Sequence, residues 1–239
     1  MSLQFEELDY QETPIGAISL RRRYEPLVGQ EVYEVKLDDE FLMSSLFTAS
    51  ETALANLAVT QLANTNLDIV VGGLGLGYTA SAVLKHRSVQ SLIVVDLLQP
   101  VIRWHQNDLL PLSSELVNDR RCQLREGDFF ALAASREGFD DLRPGRKFHA
   151  ILLDIDHSPD ALLDERSRAF YEVPGLQSIL NHLQPGGIFA LWSNNRPDDK
   201  FTERLSSVFE TASAETVVFD NPYQPEQAVQ TVYLARTTS

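Results

Sequence analysis

The sequence predicts an α/β protein, a doubly wound and mostly parallel sheet preceded by a small antiparallel β unit. Three observations carry that prediction. Up to about Ser45, apolar and polar residues alternate with a period of two. Beyond Ser45, short apolar runs alternate with segments of helical spacing, the pattern of a parallel sheet covered on both faces. The first of those runs ends in a glycine-rich turn, "VVGGLGLGY", that opens a helix-like stretch. Glycine costs about 1 kcal/mol in a helix relative to alanine, so these glycines answer to a need for space or for unusual backbone angles.

Taken in order, "LQFEELDY", "AISLRRRY" and "EVYEVKL" read as short antiparallel strands, broken at Thr13–Pro14, Pro26 and Gly29. Arg21, Arg22 and Arg23 form the one basic cluster and read as the exposed end of a strand. Residues 1–45 are therefore expected to form a small N-terminal β-hairpin domain, and residues 46–239 a single nucleoside-binding domain. "SETALANLAVTQLA" has helical spacing. The strand-like runs "LDIVVGG", "SLIVVDL", "CQLREGD", "FHAILLDID" and "GIFALWS" follow, the last leading into the helical "DDKFTERLSSVFE". After the loop "DNPYQPEQ", "QAVQTVYLAR" reads as an antiparallel strand closing the sheet.

Bulk properties narrow the function. A net charge of −14 over 239 residues argues against a nucleic-acid partner, whose binding rests on clustered Lys and Arg. The chain shows no signal peptide and no long apolar span, so neither a membrane nor export is expected and the cytoplasm is the default location. A single cysteine, Cys122, allows no internal disulfide.

Ligands of open parallel sheets bind beyond the carboxyl ends of the strands. The first such end carries Gly72, Gly73, Gly75 and Gly77. Bare glycines let backbone amides approach a ligand, and a helix start favours a negative group. The spacing lacks the longer gap of the dinucleotide fingerprint and the lysine of a P-loop. Asp96 ends the second run, nineteen residues after Gly77, where a carboxylate can accept both ribose hydroxyls. Asp128 ends the third, placed to receive an exocyclic adenine amine. Either aspartate serves equally as a helix cap when taken alone. The three strand ends together point to a nucleoside.

These features, with "LQPGGIFALW", resemble the class I S-adenosylmethionine-dependent methyltransferase fold, which implies a seven-stranded Rossmann-like sheet from about Glu51 onward. Over the whole chain, "EVYEVKLDDEFLMSS", "VVGGLGLGY" and "AILLDIDHSPD" resemble the spermidine synthase family, and within it a bacterial spermidine-synthase-like subgroup. The resemblance implies an aminopropyltransferase of polyamine biosynthesis. Its co-substrate would be S-adenosylmethionine or decarboxylated S-adenosylmethionine, its acceptor a small cationic amine, and its assembly a homodimer. Two positions depart from the family pattern. Gly75 stands where the family loop carries an aspartate that pairs with the donor's amine. Ala49, Ser50 and Glu51 stand where it carries Tyr-His-Glu. Glycine at 75 tolerates the carboxylate of intact S-adenosylmethionine, with the helix amides as donors. Methyl transfer to a small acceptor therefore stands beside aminopropyl transfer, and a non-catalytic relative that only binds the nucleoside is a third reading.

The chemistry is expected in "DIDHSPD", just past the fourth run. An amine must lose a proton before it attacks a sulfonium carbon, and a positioned carboxylate can take it. Asp154, matching the first aspartate of the family stretch, is the leading catalytic candidate, followed by Asp156. Glu51 and His157 are candidates for holding the acceptor. Thr48-Ala49-Ser50-Glu51 also reads as a capping box, with Glu51 reaching back to Thr48. Asp-x-Asp-His is compatible with a divalent metal, but no second cluster of ligands supports one and no metal is expected. Trp104 and Trp192 are expected in the core or the wall of the pocket.

Overall fold

A computed structural model describes residues 5–63 and 65–239. Leu3 and Gln4, which open the first expected strand, lie outside them. Strands β1 (Phe5–Thr13), β2 (Gly16–Glu25), β3 (Gln30–Leu37) and β4 (Glu40–Ser44) form an antiparallel sheet in chain order. Its alternation buries Ile18, Leu20, Val35 and Leu37 on one face. The basic cluster of β2 is neutralised by its neighbours. Arg22 pairs with Glu6 and Arg23 with Glu34, each at 2.6 Å, and Arg21 lies 3.7 Å from Glu7.

Helix α1 (Ala49–Thr60) leads into the second sheet. Its parts are β5 (Leu67–Gly72), α2 (Tyr78–Leu84), β6 (Val89–Asp96), α3 (Gln99–Gln106), α4 (Ser113–Asn118), β7 (Cys122–Glu126), α5 (Phe129–Ala134) and β8 (Phe148–Leu153). A 3₁₀ segment (Glu165–Tyr171), α6 (Val173–Leu180), β9 (Leu183–Ser193), α7 (Asp199–Ser206), β10 (Thr211–Phe219) and β11 (Ala228–Arg236) complete it. The strand order is β10-β11-β9-β8-β5-β6-β7. All neighbours are parallel except β11, which is antiparallel to both β9 and β10. The doubly wound, mostly parallel seven-stranded sheet and its antiparallel companion match the expected fold. Strand β10 was not among the runs read from the sequence. Its residues are small, polar or half-exposed, and its edge position demands little apolar content.

The period of two divides the core. Ile69, Val71, Val94 and Leu152 face α1, α2 and α3. Val70, Ile93, Val95, Ile151 and Leu153 face the aromatic layer of Phe129, Phe139, Phe170 and Phe189. Ile18, Leu20 and Val35 of the first sheet belong to the same buried cluster as α1 and β5. The two sheets therefore share one core, and the space between them is held open by packed walls.

Candidate active site

The carboxyl ends of β5, β6, β7 and β8 meet the edge of the first sheet around a cavity of about 450 Å³. Gly73, Leu74 and Gly75 line it from the glycine turn. Asp96, Asp128 and Asp154 line it from the next three strand ends, Glu51 from the first turn of α1, and His157 from the loop after β8. Seven of the ten sequence-predicted site residues thus reach the wall in positions open to a ligand, and three are placed differently.

Gly72 packs under the Phe129 ring, and Gly77 against Leu116 and His105; neither lines the cavity. These two glycines shape the turn from behind. Asp156 touches the cavity but is only 3% exposed. It accepts hydrogen bonds from Leu163 N at 2.7 Å, Tyr171 Oη at 2.6 Å and Ser167 Oγ at 3.2 Å. A carboxylate so engaged fastens the loop between β8 and α6, a positioning part in place of the expected contact with the acceptor.

The glycine turn also differs from expectation. Gly73 N donates to Val95 O, Leu74 N to Asp96 Oδ2 at 2.9 Å, and Gly77 N to Leu74 O. The Gly75 amide is directed at the Asp96 carboxylate. Leu76 N points at the Met43 sulfur at 3.2 Å. Gly73, Leu74 and Gly77 N thus donate within the protein, and Leu76 and Gly75 N are turned towards Met43 and Asp96, so the amides of the loop itself are directed away from a ligand carboxylate. Met43, from β4, fills the space above Gly75, where a Cβ would fall 2.5 Å from its Sδ and Cε. Gly73 has φ +95°, and a Cβ there would collide with the main-chain carbonyl of Asp154. Only glycine lets β5 and β8 end this close together.

Asp96 accepts Leu98 N on Oδ1 at 2.8 Å as well as Leu74 N on Oδ2. Burial pushes its pKa up against the pull of those amides. Asp128 caps α5, accepting Phe130 N at 2.9 Å and Ala131 N at 3.2 Å on Oδ1. Its Oδ2 takes no hydrogen bond from the described residues and is available to a ligand amine. The cap and ligand readings of Asp128 are compatible, one on each oxygen.

Glu51 and Asp154 form the electrostatic centre. The expected capping box is absent: the Thr48 side chain makes no capping bond, and Glu51 turns inward, 8% exposed, to accept Ser50 Oγ at 2.9 Å. Burial pushes the Glu51 pKa up, and the neighbouring Asp154 charge pushes it further. Burial also raises Asp154, opposed by the Thr79 hydroxyl, which donates to Oδ2 at 2.5 Å. Both carboxyl groups are therefore held towards their protonated forms, by burial in each case and in Glu51 also by the charge of Asp154. His157 Nε2 sits 3.1 Å from Glu40 Oε1, bridging the loop after β8 to the first sheet at the cavity rim.

Thr79, Met43 and Tyr171 gave no sequence signal. Each acts through a partner distant in the chain or inside an aperiodic loop. Among the described residues no group of three or more His, Cys, Asp or Glu is placed to hold a metal ion, and no helix is long and apolar enough to cross a membrane.

A mostly parallel sheet with β5 central, a glycine turn after it and acids on the following strand ends defines a Rossmann-like fold of the methyltransferase type. The chain belongs to the spermine/spermidine synthase domain family, whose model matches residues 48–221. The family is one of aminopropyltransferases that use decarboxylated S-adenosylmethionine and act on amine acceptors. A spermidine synthase solved with the transition-state analogue AdoDATO superposes with a TM-score of 0.72 at 18% identity, over 96% of this chain and 73% of that one. Spermidine synthase from Thermotoga maritima gives the same TM-score and identity, over 96% and 72%.

Proposed function

We propose that the protein transfers an aminopropyl group from decarboxylated S-adenosylmethionine to an amine. The observation that carries this reading is the charge pattern of the cavity. Its walls hold Glu51, Asp96, Asp128 and Asp154, while the amides of the glycine turn are directed away from a ligand carboxylate. Such a wall favours a donor whose tail ends in an ammonium over one whose tail also carries a carboxylate. This reverses the inference drawn from Gly75 alone.

In the reaction the amine nitrogen forms a bond to the propyl carbon beside the sulfonium. The S–C bond breaks and its electron pair returns to sulfur, leaving neutral methylthioadenosine. The proton lost by the nitrogen goes to the Glu51–Asp154 pair. The sulfonium already makes the carbon electrophilic, so the protein's contribution is alignment and charge placement. Asp96 and Asp128 hold the nucleoside, Asp154 with Glu51 orients and deprotonates the amine, and Asp156 keeps the loop in place.

Calorimetry with both donors tests the reading. The decarboxylated molecule is expected to bind at least tenfold tighter, about 1.4 kcal/mol, and incubation with an amine should release methylthioadenosine. Equal affinity, with S-adenosylhomocysteine as the product from the intact donor, would replace it with methyl transfer. Binding without either product would leave a nucleoside-binding relative.

A further inference from the structure

The strand order divides the cavity. Asp96 and Asp128 stand at the ends of β6 and β7 on one side of β5, and Asp154 at the end of β8 on the other. Beyond β8 the wall continues over β9, β11 and β10, spanning about 10 Å from β8 to β11 at the usual strand spacing. The residues lining that half are Phe47, Trp192, Asn194, Phe219, Asn221 and Gln230. None carries a charge. Trp192 Nε1 lies 3.3 Å from Gln230 Oε1, and Gln230 Nε2 lies 2.8 Å from Asn194 Oδ1. The chain of bonds leaves the Asn194 amide NH₂ without a partner among the described residues.

The acids around this half do not supply the missing charge: Glu40 is engaged with His157 at 3.1 Å and does not line the cavity. Asp220 is exposed, accepts from Gln227 at 2.9 Å and does not line the cavity. Glu25 is engaged with Arg23 and Tyr223, and Asp156 is closed off by its three donors. The cationic side chain that lines the cavity, Arg166, is paired with Asp164 and lies within electrostatic range of Asp128, in the nucleoside half.

We infer that the acceptor is an amine with a single positive charge, whose far end is uncharged and carries apolar surface or a neutral amide. This rests on the proposed amine transfer and names its substrate class. Glu51 and Asp154 receive the one ammonium. A second ammonium, as in a diamine, would face aromatic rings and side-chain amides with no carboxylate to replace its hydration. A neutral amide meets donors that suit it, and an alkyl stem meets Phe47, Trp192 and Phe219.

The test is calorimetric binding of 1,4-diaminobutane and N-acetyl-1,4-diaminobutane to the protein saturated with methylthioadenosine, repeated with Gln230→Glu. The monoacetylated amine should bind at least tenfold tighter to the unaltered protein. Gln230→Glu, which changes charge but hardly shape, should shift the ratio at least fivefold towards the diamine. Equal or tighter binding of the diamine to the unaltered protein, or no binding of either amine, overturns the inference. So does a ratio unmoved by the substitution. Product formation is scored separately with decarboxylated S-adenosylmethionine. Selective binding of the monocation without aminopropyl transfer counts against the proposed reaction and not against the acceptor class.

Discussion

Glu51 and Asp154 place two acids with raised pKa values at the proposed site of proton transfer. Asp154→Asn keeps the shape and the Thr79 contact but removes the base. Turnover is expected to fall at least a hundredfold, while methylthioadenosine affinity changes by less than threefold, both measurable on the same preparation. Glu51 also links stability to pH. Its folded pKa is raised, so between its ordinary carboxylate range and the raised value the native state keeps a proton that the unfolded chain has lost. Stability contributed by this group therefore falls as pH rises from about 4.5 towards about 8. Urea unfolding at pH 5 and pH 8 should show that decline in the unaltered protein and a smaller one in Glu51→Gln. Gly75 and Met43 form a second coupled pair. Gly75→Asp should weaken donor binding at least threefold, because it strains a backbone at φ +46° and displaces the end of the Met43 side chain, and Met43→Ala added to it should recover part of the loss.

The loop between β8 and α6 hangs on Asp156, whose three donors all come from within the next fifteen residues. Tyr171→Phe removes one buried hydrogen bond and should destabilise the protein by about 1–3 kcal/mol, with faster hydrogen exchange confined to residues 157–171. This element marks the boundary of what the sequence discloses. The apolar runs of β5, β6 and β8 are legible because both faces of a central parallel strand are buried. Asp96, Asp128 and Asp154 are legible because they end those runs. The role of Asp156 is not, because its partners sit in a stretch with no period. Glu51 was misleading in a different way. Its capping-box spacing is a genuine local preference, and the burial of the helix start overrides it. Met43 over Gly75 is a contact across thirty-two residues, from the first sheet to the turn after β5, which no local pattern encodes.

Across the whole molecule, segments far apart in the chain meet beside the cavity. Phe47 touches both Phe219 and Tyr223, and the Tyr223 hydroxyl donates to Glu25, which also pairs with Arg23. The loop between β10 and β11 is thereby tied to the first sheet. The Tyr223 and Arg23 hydrogen bonds, with the Leu27 amide, lower the Glu25 pKa to about 2. A depressed acid contributes stability that is present above its ordinary range and lost as pH falls towards that value. Tyr223→Phe is expected to speed hydrogen exchange in residues 220–227 at neutral pH. The unaltered protein should approach the same rates, corrected for the intrinsic effect of acid, only near pH 3.

Strand β11 lies between β9 and β10 although it is synthesised after both. Neither partner can satisfy its edge until Ala228–Arg236 has emerged from the ribosome, because β10 is bonded to β11 and not to β9. A nascent chain halted before that point has the nucleoside half of its pocket in sequence but no Gln230 wall. The acceptor half of the pocket is thus completed only when β11 enters between β9 and β10.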